Sequence, residues 1–246
     1  MSFLDSALYP FFVQRMPYLT ILVFAGGMFL RVQRWWQGAP NGHGGRRLHP
    51  VASLKYFLLD VVLFRKTFRR NKGDWLLVFA FHGSVGAIIF GHMRGFHLWS
   101  ASMLGFLGEG WVEFMVHTLP IYMGWILIVS SLLLLVRRVR LEGRQLESLA
   151  DDYLALTLVL AAAVVGQGMR LFPAVGGQVG PVDVVFIPRL IVLHLESPPS
   201  YHWFHWHVFL TQLFVIYTPF SKFIHILTGA LSPMFYGSRR RELGLG

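Results

Sequence analysis

Cysteine is absent from this 246-residue chain. Without thiols there is no disulfide, no thiolate nucleophile, no cysteine-ligated iron–sulfur cluster and no CxxCH haem attachment. Any redox chemistry must therefore use a cofactor held without a covalent bond, and its electrons must leave to another molecule. Charge is scarce too. Only 14% of residues are Asp, Glu, Lys or Arg, against roughly 25% in an ordinary soluble domain. Acidic residues are the scarcer kind, 12 against 22 basic ones, for a net charge of +10. A basic surplus points to nucleic acid only where it forms one patch on a soluble face. Here it is divided among short loops between apolar runs, so no nucleic-acid partner is expected, and a positive-inside bias is the simpler cause.

What the chain has in quantity is apolar sequence: 54% hydrophobic residues and a mean hydropathy of +0.53. Several runs reach the ~20 residues that a transmembrane helix needs. Five spans are expected, at about 11–31, 75–96, 112–136, 153–172 and 203–229. The fold class is thus an all-α integral membrane bundle of five helices, with residues 1–246 as one unit and no internal repeat. The first run contains Arg15 and Pro17 and lacks a small-residue cleavage site. It reads as a retained helix rather than a signal peptide.

The basic residues sort by side. Seventeen of the 22 fall in the first loop (Arg31 to Lys72), after the third span (Arg137 to Arg144) and at Arg239 to Arg241. Arg15, Arg94, Arg170 and Arg189 fall on the other side, and Lys222 lies within the last span. This places the N-terminus outside and the C-terminus in the cytoplasm of a multi-pass protein of the cell inner (cytoplasmic) membrane. Segment 51–70 is amphipathic and ends in a basic cluster. It is expected to lie along the cytoplasmic surface, on anionic lipid or against a soluble partner. Segment 173–202 is external, and its apolar stretch from Pro188 to Leu195 is expected to cap the bundle as a re-entrant or interfacial helix.

Two apolar runs carry histidine: His82 and His92 in the second span, His207 and His225 in the fifth. A histidine in hydrocarbon is costly and marks function by default. On a continuous helix His207 and His225 share a face, about 27 Å apart, while His82 and His92 are about 15 Å apart and about 80° off a common face. The two spans run in opposite directions, so depth pairs His82 with His225 and His92 with His207. The unequal spacings call for tilt, or for a bend at Pro219. One such histidine is most simply a buried side chain hydrogen-bonded to a neighbouring helix. Four in two depth-matched pairs fit the axial ligands of two haem b groups, an inner one (His82, His225) and an outer one (His92, His207). Bis-histidine ligation leaves iron no open position, so such a haem carries electrons. Gly83, Gly86 and Gly91 allow close approach of a flat macrocycle, although ordinary helix packing explains them equally well. His202, His205 and His207 also have metal-ligand spacing, but no cysteine or carboxylate accompanies them, and a wet interface beside Trp203 and Trp206 is the preferred reading.

The elements FH-(nine residues)-H at Phe81 to His92 and PFSKFIHI at Pro219 to Ile226 resemble the γ subunit of respiratory nitrate reductase. They also resemble the cytochrome b subunits of sulfite-reduction-associated and heterodisulfide-reductase-like complexes. The resemblance covers essentially the whole chain and is weakest in spans one, three and four. It implies a dihaem cytochrome b exchanging electrons between a membrane quinone pool (menaquinone or ubiquinone) and a cytoplasmic iron–sulfur subunit, heterodisulfide-reductase-like or nitrate-reductase-β-like. The chain would be the quinol-reacting subunit of an oxidoreductase complex, not a complete enzyme alone. The nitrate-reductase branch carries a quinol-binding lysine near the start of the third span. Here the sequence reads GEGWVEFMVHTLP, with Glu113 and His117 but no lysine. The first loop is closer to the sulfur-metabolism branch.

Glu113, His117, His97, Glu196 and His202 are candidates to accept quinol protons at the outer rim, with Glu113 and His117 foremost. Gly91 is a candidate quinone contact. Arg94 and Arg189 are candidates for haem propionates. For each, an interfacial side chain is the plainer alternative. Two rival functions remain in view. A haem-free membrane anchor or assembly scaffold would lack b-type absorbance. A proton-coupled transporter would need acidic residues inside the spans, where almost none occur.

Overall fold

The computed structural model describes residues 7–37, 49–96, 98–140, 150–172, 202–225 and 228–229. The described residues are helical or irregular, with no strand among them. Eight α-helices are present among them: α1 (Met16–Gln37), α2 (Pro50–Tyr56), α3 (Arg65–Arg70), α4 (Lys72–Met93), α5 (Glu109–Glu113), α6 (Leu119–Arg140), α7 (Ala150–Leu171) and α8 (His202–Tyr217). A π-helical turn, Phe11–Arg15, leads into α1, and another, Phe114–Thr118, joins α5 to α6.

Among the described residues four stretches are long and apolar enough to cross a membrane: Phe11–Gln37, Lys72–Met93, Glu109–Arg140 and Tyr153–Leu171. Their bounds lie within a few residues of four of the five expected spans. Burial is inverted relative to a soluble protein. Large apolar side chains such as Ile21, Leu22, Phe29 and Leu76 are exposed, whereas Thr20, Ser84, Ser130, Ser131, Gln167 and Gln212 are buried. Lipid accepts the apolar side chains, and the small or polar ones pack helix on helix. The chain is therefore an integral membrane helical protein.

The helices pack in the order α4–α6–α7–α8–α1. Contacts between their ends fix their directions. Asp74 at the start of α4 forms an ion pair with Arg137 at the end of α6. Gln167 near the end of α7 donates to the Ile121 carbonyl at the start of α6, at 3.1 Å. These neighbours are antiparallel. By contrast α1 and α8 run parallel: Tyr9 meets His202, Thr20 donates to Gln212 at 3.1 Å, and Arg31 reaches the Ser221 carbonyl at 3.5 Å. One end of the bundle thus gathers Arg31, Arg34, Lys72, Arg137, Arg138, Arg140 and Lys222. We call it the basic end.

The segment expected as the fifth span, 203–229, is not one continuous helix and is not among these four stretches. α8 stops at Tyr217, a 3-10 turn covers Thr218–Phe220, Ser221 is extended (φ −112°, ψ 178°), and a second 3-10 turn covers Lys222–Ile224. Pro219 removes a helical N–H and clashes with the preceding turn. The Ser221 hydroxyl then restarts the chain by accepting the Phe223 N–H at 3.2 Å. α1 fits against the break. A Cβ on Gly27 would lie 2.8 Å from Pro219 Cβ and 2.9 Å from Phe220 Cζ, so only glycine admits this contact. Residues 226–227 of the expected span lie outside the described residues.

The amphipathic segment 51–70 is also not one helix. α2 passes into a π-helical stretch, Phe57–Val62, and the chain turns at Phe64 before α3 begins. Asp60 stabilises the turn by accepting from Arg65 Nε at 3.0 Å, with Lys66 3.7 Å away. Ala52, Ser53 and Tyr56 are buried, whereas Val51, Leu54, Leu58 and Val62 form an exposed apolar stripe. That stripe suits an element lying in the membrane interface. The external cap expected at 188–195 and the Arg239–Arg241 cluster lie outside the described residues.

Candidate functional site

α4 and α8 are not packing neighbours in the order of the bundle; they are tied through α6 and α7. Across the space between them the four histidines meet in pairs. The His92 and His207 rings have centroids 5.8 Å apart at an interplanar angle of 24°. The His82 and His225 rings have centroids 6.1 Å apart at 77°. The first pair lies at the end of α4 and start of α8, the second towards the basic end. The break at Thr218–Ser221 matters here. A continuous helix would set His207 and His225 about 27 Å apart, against about 15 Å between His82 and His92; the break lets the chain change direction between the two histidines.

Each imidazole is oriented by the same device. Nδ1 of His82 lies 2.9 Å from the Val78 carbonyl and Nδ1 of His92 lies 2.8 Å from the Ile88 carbonyl, each four residues back on α4. Nδ1 of His225 lies 2.7 Å from the Lys222 carbonyl. Nδ1 of His207 lies 3.0 Å from the Ala162 carbonyl, on α7. A carbonyl only accepts, so each Nδ1 carries the proton and donates. Each Nε2 is then the lone-pair nitrogen, the form in which imidazole binds metal. α7 receives the His207 ring in a notch: a Cβ on Gly166 would sit 2.9 Å from its Cε1 and 3.2 Å from its Nδ1.

The donor set fits an iron porphyrin. An imidazole nitrogen bonds a first-row metal at about 2 Å, so two imidazoles facing across one iron have centroids about 6 Å apart. Both pairs match that spacing. Two nitrogens per site are too few for a closed protein-only metal site, and no group of three or more His, Cys, Asp or Glu suited to a metal ion occurs among the described residues. Axial ligation of a macrocycle that brings its own four nitrogens needs two. Cβ atoms on Gly83, Gly86 and Gly91 would meet no atom within 4 Å.

The remaining candidates are spread more widely. Glu113 and His117 are exposed and lie 3.8 Å apart, one turn from each other across the π-helical stretch after α5. Arg94 is half-buried, two residues beyond His92. His202 accepts or donates at Nδ1 to the Tyr9 hydroxyl, 2.9 Å away. His205 is buried and stacked on Tyr9, with centroids 4.2 Å apart at 11°. It therefore belongs to the contact between α8 and the residues ahead of α1, away from His207. His97, Arg189 and Glu196 lie outside the described residues.

Sequence reasoning missed Glu109. A shallow apolar groove of about 450 Å³ is lined by Leu107, Gly108, Glu109, Gly110, Trp111 and Phe114. A second, of about 660 Å³, shares Glu109 and Gly110 and adds Glu113. Both lie at the end opposite the basic one. The signal is present in the run GFLGEGW, an acidic residue between glycines beside aromatics, but it reads equally as a loop. Sequence reasoning also missed Phe64, whose ring lies 4.9 Å from that of His82.

No family model matches the chain. The chain is similar to the Hdr-like menaquinol oxidoreductase cytochrome b-like subunit of Archaeoglobus fulgidus, with 25% identity over 85% of this chain and 74% of that protein. It is also similar to a subunit of the dihydromethanophenazine:CoB–CoM heterodisulfide reductase of Methanosarcina thermophila, with 25% identity over 92% of each. Both relatives are subunits of oxidoreductase complexes of the heterodisulfide-reductase type, and neither is a nitrate reductase subunit.

Proposed function

We propose that this chain is a dihaem cytochrome b: the membrane subunit that passes electrons between a quinone pool and a cytoplasmic iron–sulfur subunit of a heterodisulfide-reductase-like complex. The observation that carries the reading is the pairing of four membrane-embedded imidazoles, 5.8 and 6.1 Å apart, each with its Nδ1 proton on a backbone carbonyl. His92 and His207 would hold the outer haem b, His82 and His225 the inner one. A haem held by these imidazoles would supply single-electron transfer, with no open iron position for a substrate. The protein contributes ligand orientation, exclusion of water and a path across the bilayer.

The basic end faces the cytoplasm in this reading, with the last crossing spanning as a fifth, broken helix. That orientation follows the positive-inside bias. The opposite end then holds the quinone site. Oxidising a quinol removes two electrons and two protons, so acceptors for protons must stand beside an apolar groove. In this reading Glu109 and Glu113, which line the grooves, would accept the protons, with His117 3.8 Å from Glu113 as a further acceptor, and Gly91 and Arg94 beside the outer pair would contact quinone and propionate. The relatives' names, which specify menaquinol and dihydromethanophenazine, favour a lipid-soluble two-electron carrier as the partner in the membrane.

The test is haem content. Purified protein should contain two b-type haems per chain by pyridine haemochrome assay, with a reduced-minus-oxidised spectrum to match. His225→Ala should lose one and His207→Ala the other, each leaving its companion's midpoint potential in place. A wild-type spectrum without b bands would return the chain to a membrane anchor, and loss of both haems from each folded variant would reject the pairing.

A further inference from the structure

The turn between α2 and α3 supplies no histidine, yet it reaches one of the pairs. Phe64 has φ 48° and ψ 41°, and among the described residues it is the one non-glycine with positive φ. A left-handed backbone is unfavourable for a bulky L-residue, so its neighbours must hold it there. They do so from both sides. The Asp60 side chain is only 2% exposed; its Oδ1 accepts from Arg65 Nε at 3.0 Å, and Lys66 Nζ lies 3.7 Å from Oδ2. The Arg65 guanidinium also lies over the Tyr56 ring, 5.4 Å from its centroid. One residue before Phe64, the Leu63 carbonyl accepts from Trp75 Nε1 at 2.8 Å. The Phe68 ring meets Trp75 edge-on at 5.1 Å, which ties α3 to the start of α4.

The outcome of these contacts is the Phe64 ring set against His82, centroids 4.9 Å apart at 46°. His82 also meets the Phe81 ring edge-on, centroids 5.1 Å apart. The imidazole thus packs against two phenyl rings while its Nδ1 is held by Val78.

We propose that Phe64 is a positioning residue for the histidine pair at the basic end. Its ring wedges His82 in place and screens that pair from the aqueous side, and the Asp60–Arg65 clasp keeps the wedge inserted. The proposal rests on the dihaem reading above, and the two can fail separately. Water admitted beside a haem favours its more highly charged, oxidised state, so removing the screen lowers the midpoint potential.

The experiment is a spectroelectrochemical titration of the haem-loaded protein, with low-spin EPR of the same samples. Phe64→Gly keeps the left-handed backbone and removes the ring. Phe64→Tyr keeps the ring. Asp60→Asn loosens the clasp with the ring still present. Phe64→Gly should shift one of the two components to lower potential and change its EPR g values, with the other unmoved. The shifted component should be the one missing in His225→Ala. Phe64→Tyr should restore both parameters, and Asp60→Asn should move the same component in the same direction. Two wild-type haems with neither component moved by Phe64→Gly, or with both moved together, overturn the wedge alone. A wild-type protein without haem overturns the dihaem reading instead. Should Phe64→Gly yield no folded protein, Asp60→Asn decides: an unmoved component there overturns the proposal.

Discussion

Gly166→Ala should selectively weaken the outer histidine pair. In the structure the added Cβ would lie 2.9 Å from His207 Cε1 and 3.2 Å from Nδ1, where ordinary contact begins at 3.4 Å. The ring must therefore retreat from α7 by about 0.5 Å. It cannot do so freely, because Nδ1 is bonded 3.0 Å away to the Ala162 carbonyl, one helical turn below Gly166 on the same face. A retreat of that size stretches the bond to the edge of hydrogen-bond geometry. Losing it costs about 1 kcal/mol, and the overpacking itself about 1–3 kcal/mol. Together these amount to roughly 2–4 kcal/mol, or about 30- to 700-fold weaker retention at that site. Metal-ligand positions tolerate only about 0.2 Å of error, which points the same way. The assay is haem-to-protein ratio after purification, followed by a redox titration. The expected result is a fall from two haems towards one, with the remaining component at its wild-type potential. Full occupancy with two unshifted components would refute the argument, because it would mean that His207 does not depend on the Gly166 notch.

Other predictions follow from the same geometry. Gly27→Val drives two methyl groups into Pro219 and Phe220, where even a Cβ lies at 2.8 and 2.9 Å. It should displace the break that carries His225, destabilise the bundle by about 1–3 kcal/mol, and deplete the inner haem before the outer one in a haem assay. Gly86→Leu acts on a face where a Cβ meets no protein atom within 4 Å, one turn from His82. Thermal stability of the apoprotein should hold or rise by up to about 1 kcal/mol through helix propensity, while haem retention falls. Unchanged retention would show that no macrocycle uses that face.

Much of the arrangement is legible from residue type and spacing, and what escapes is set by distant parts of the chain. The runs of apolar residues locate four of the crossings to within a few positions. Depth and helix direction alone put His82 beside His225 and His92 beside His207, because antiparallel helices leave few other choices. The fifth expected span reads as bent at Pro219, but not as interrupted. Proline predicts a kink; the extended Ser221 and the second 3-10 turn require Gly27 and Arg31, some 190 residues earlier, to fill and cap the opening. Phe64 is invisible for a similar reason. Nothing in LFRKTF favours a left-handed residue, and the conformation exists because Asp60 and Trp75 hold either side of it. His205 looks like an interfacial side chain and is in fact buried, since the stacking partner Tyr9 comes from the other end of the sequence.

The shortage of acidic residues explains how the four imidazoles are oriented. A metal-binding histidine needs a partner on its second nitrogen, and in water-exposed sites that partner is often a carboxylate. Inside hydrocarbon an ionised carboxylate carries a heavy desolvation cost, and between Trp75 and Met93, or between His202 and His225, the chain has none. Backbone carbonyls replace it at all four histidines. On α4 the carbonyls of Val78 and Ile88 already accept within the helix and use a second lone pair, so the bond adds no charge to the bilayer. The fourth case differs in kind. His207 borrows its carbonyl from α7, and so ties its orientation to the packing of a neighbouring helix rather than to its own. That makes the outer pair the one whose geometry responds to helix packing, and it places the sensitivity at Gly166.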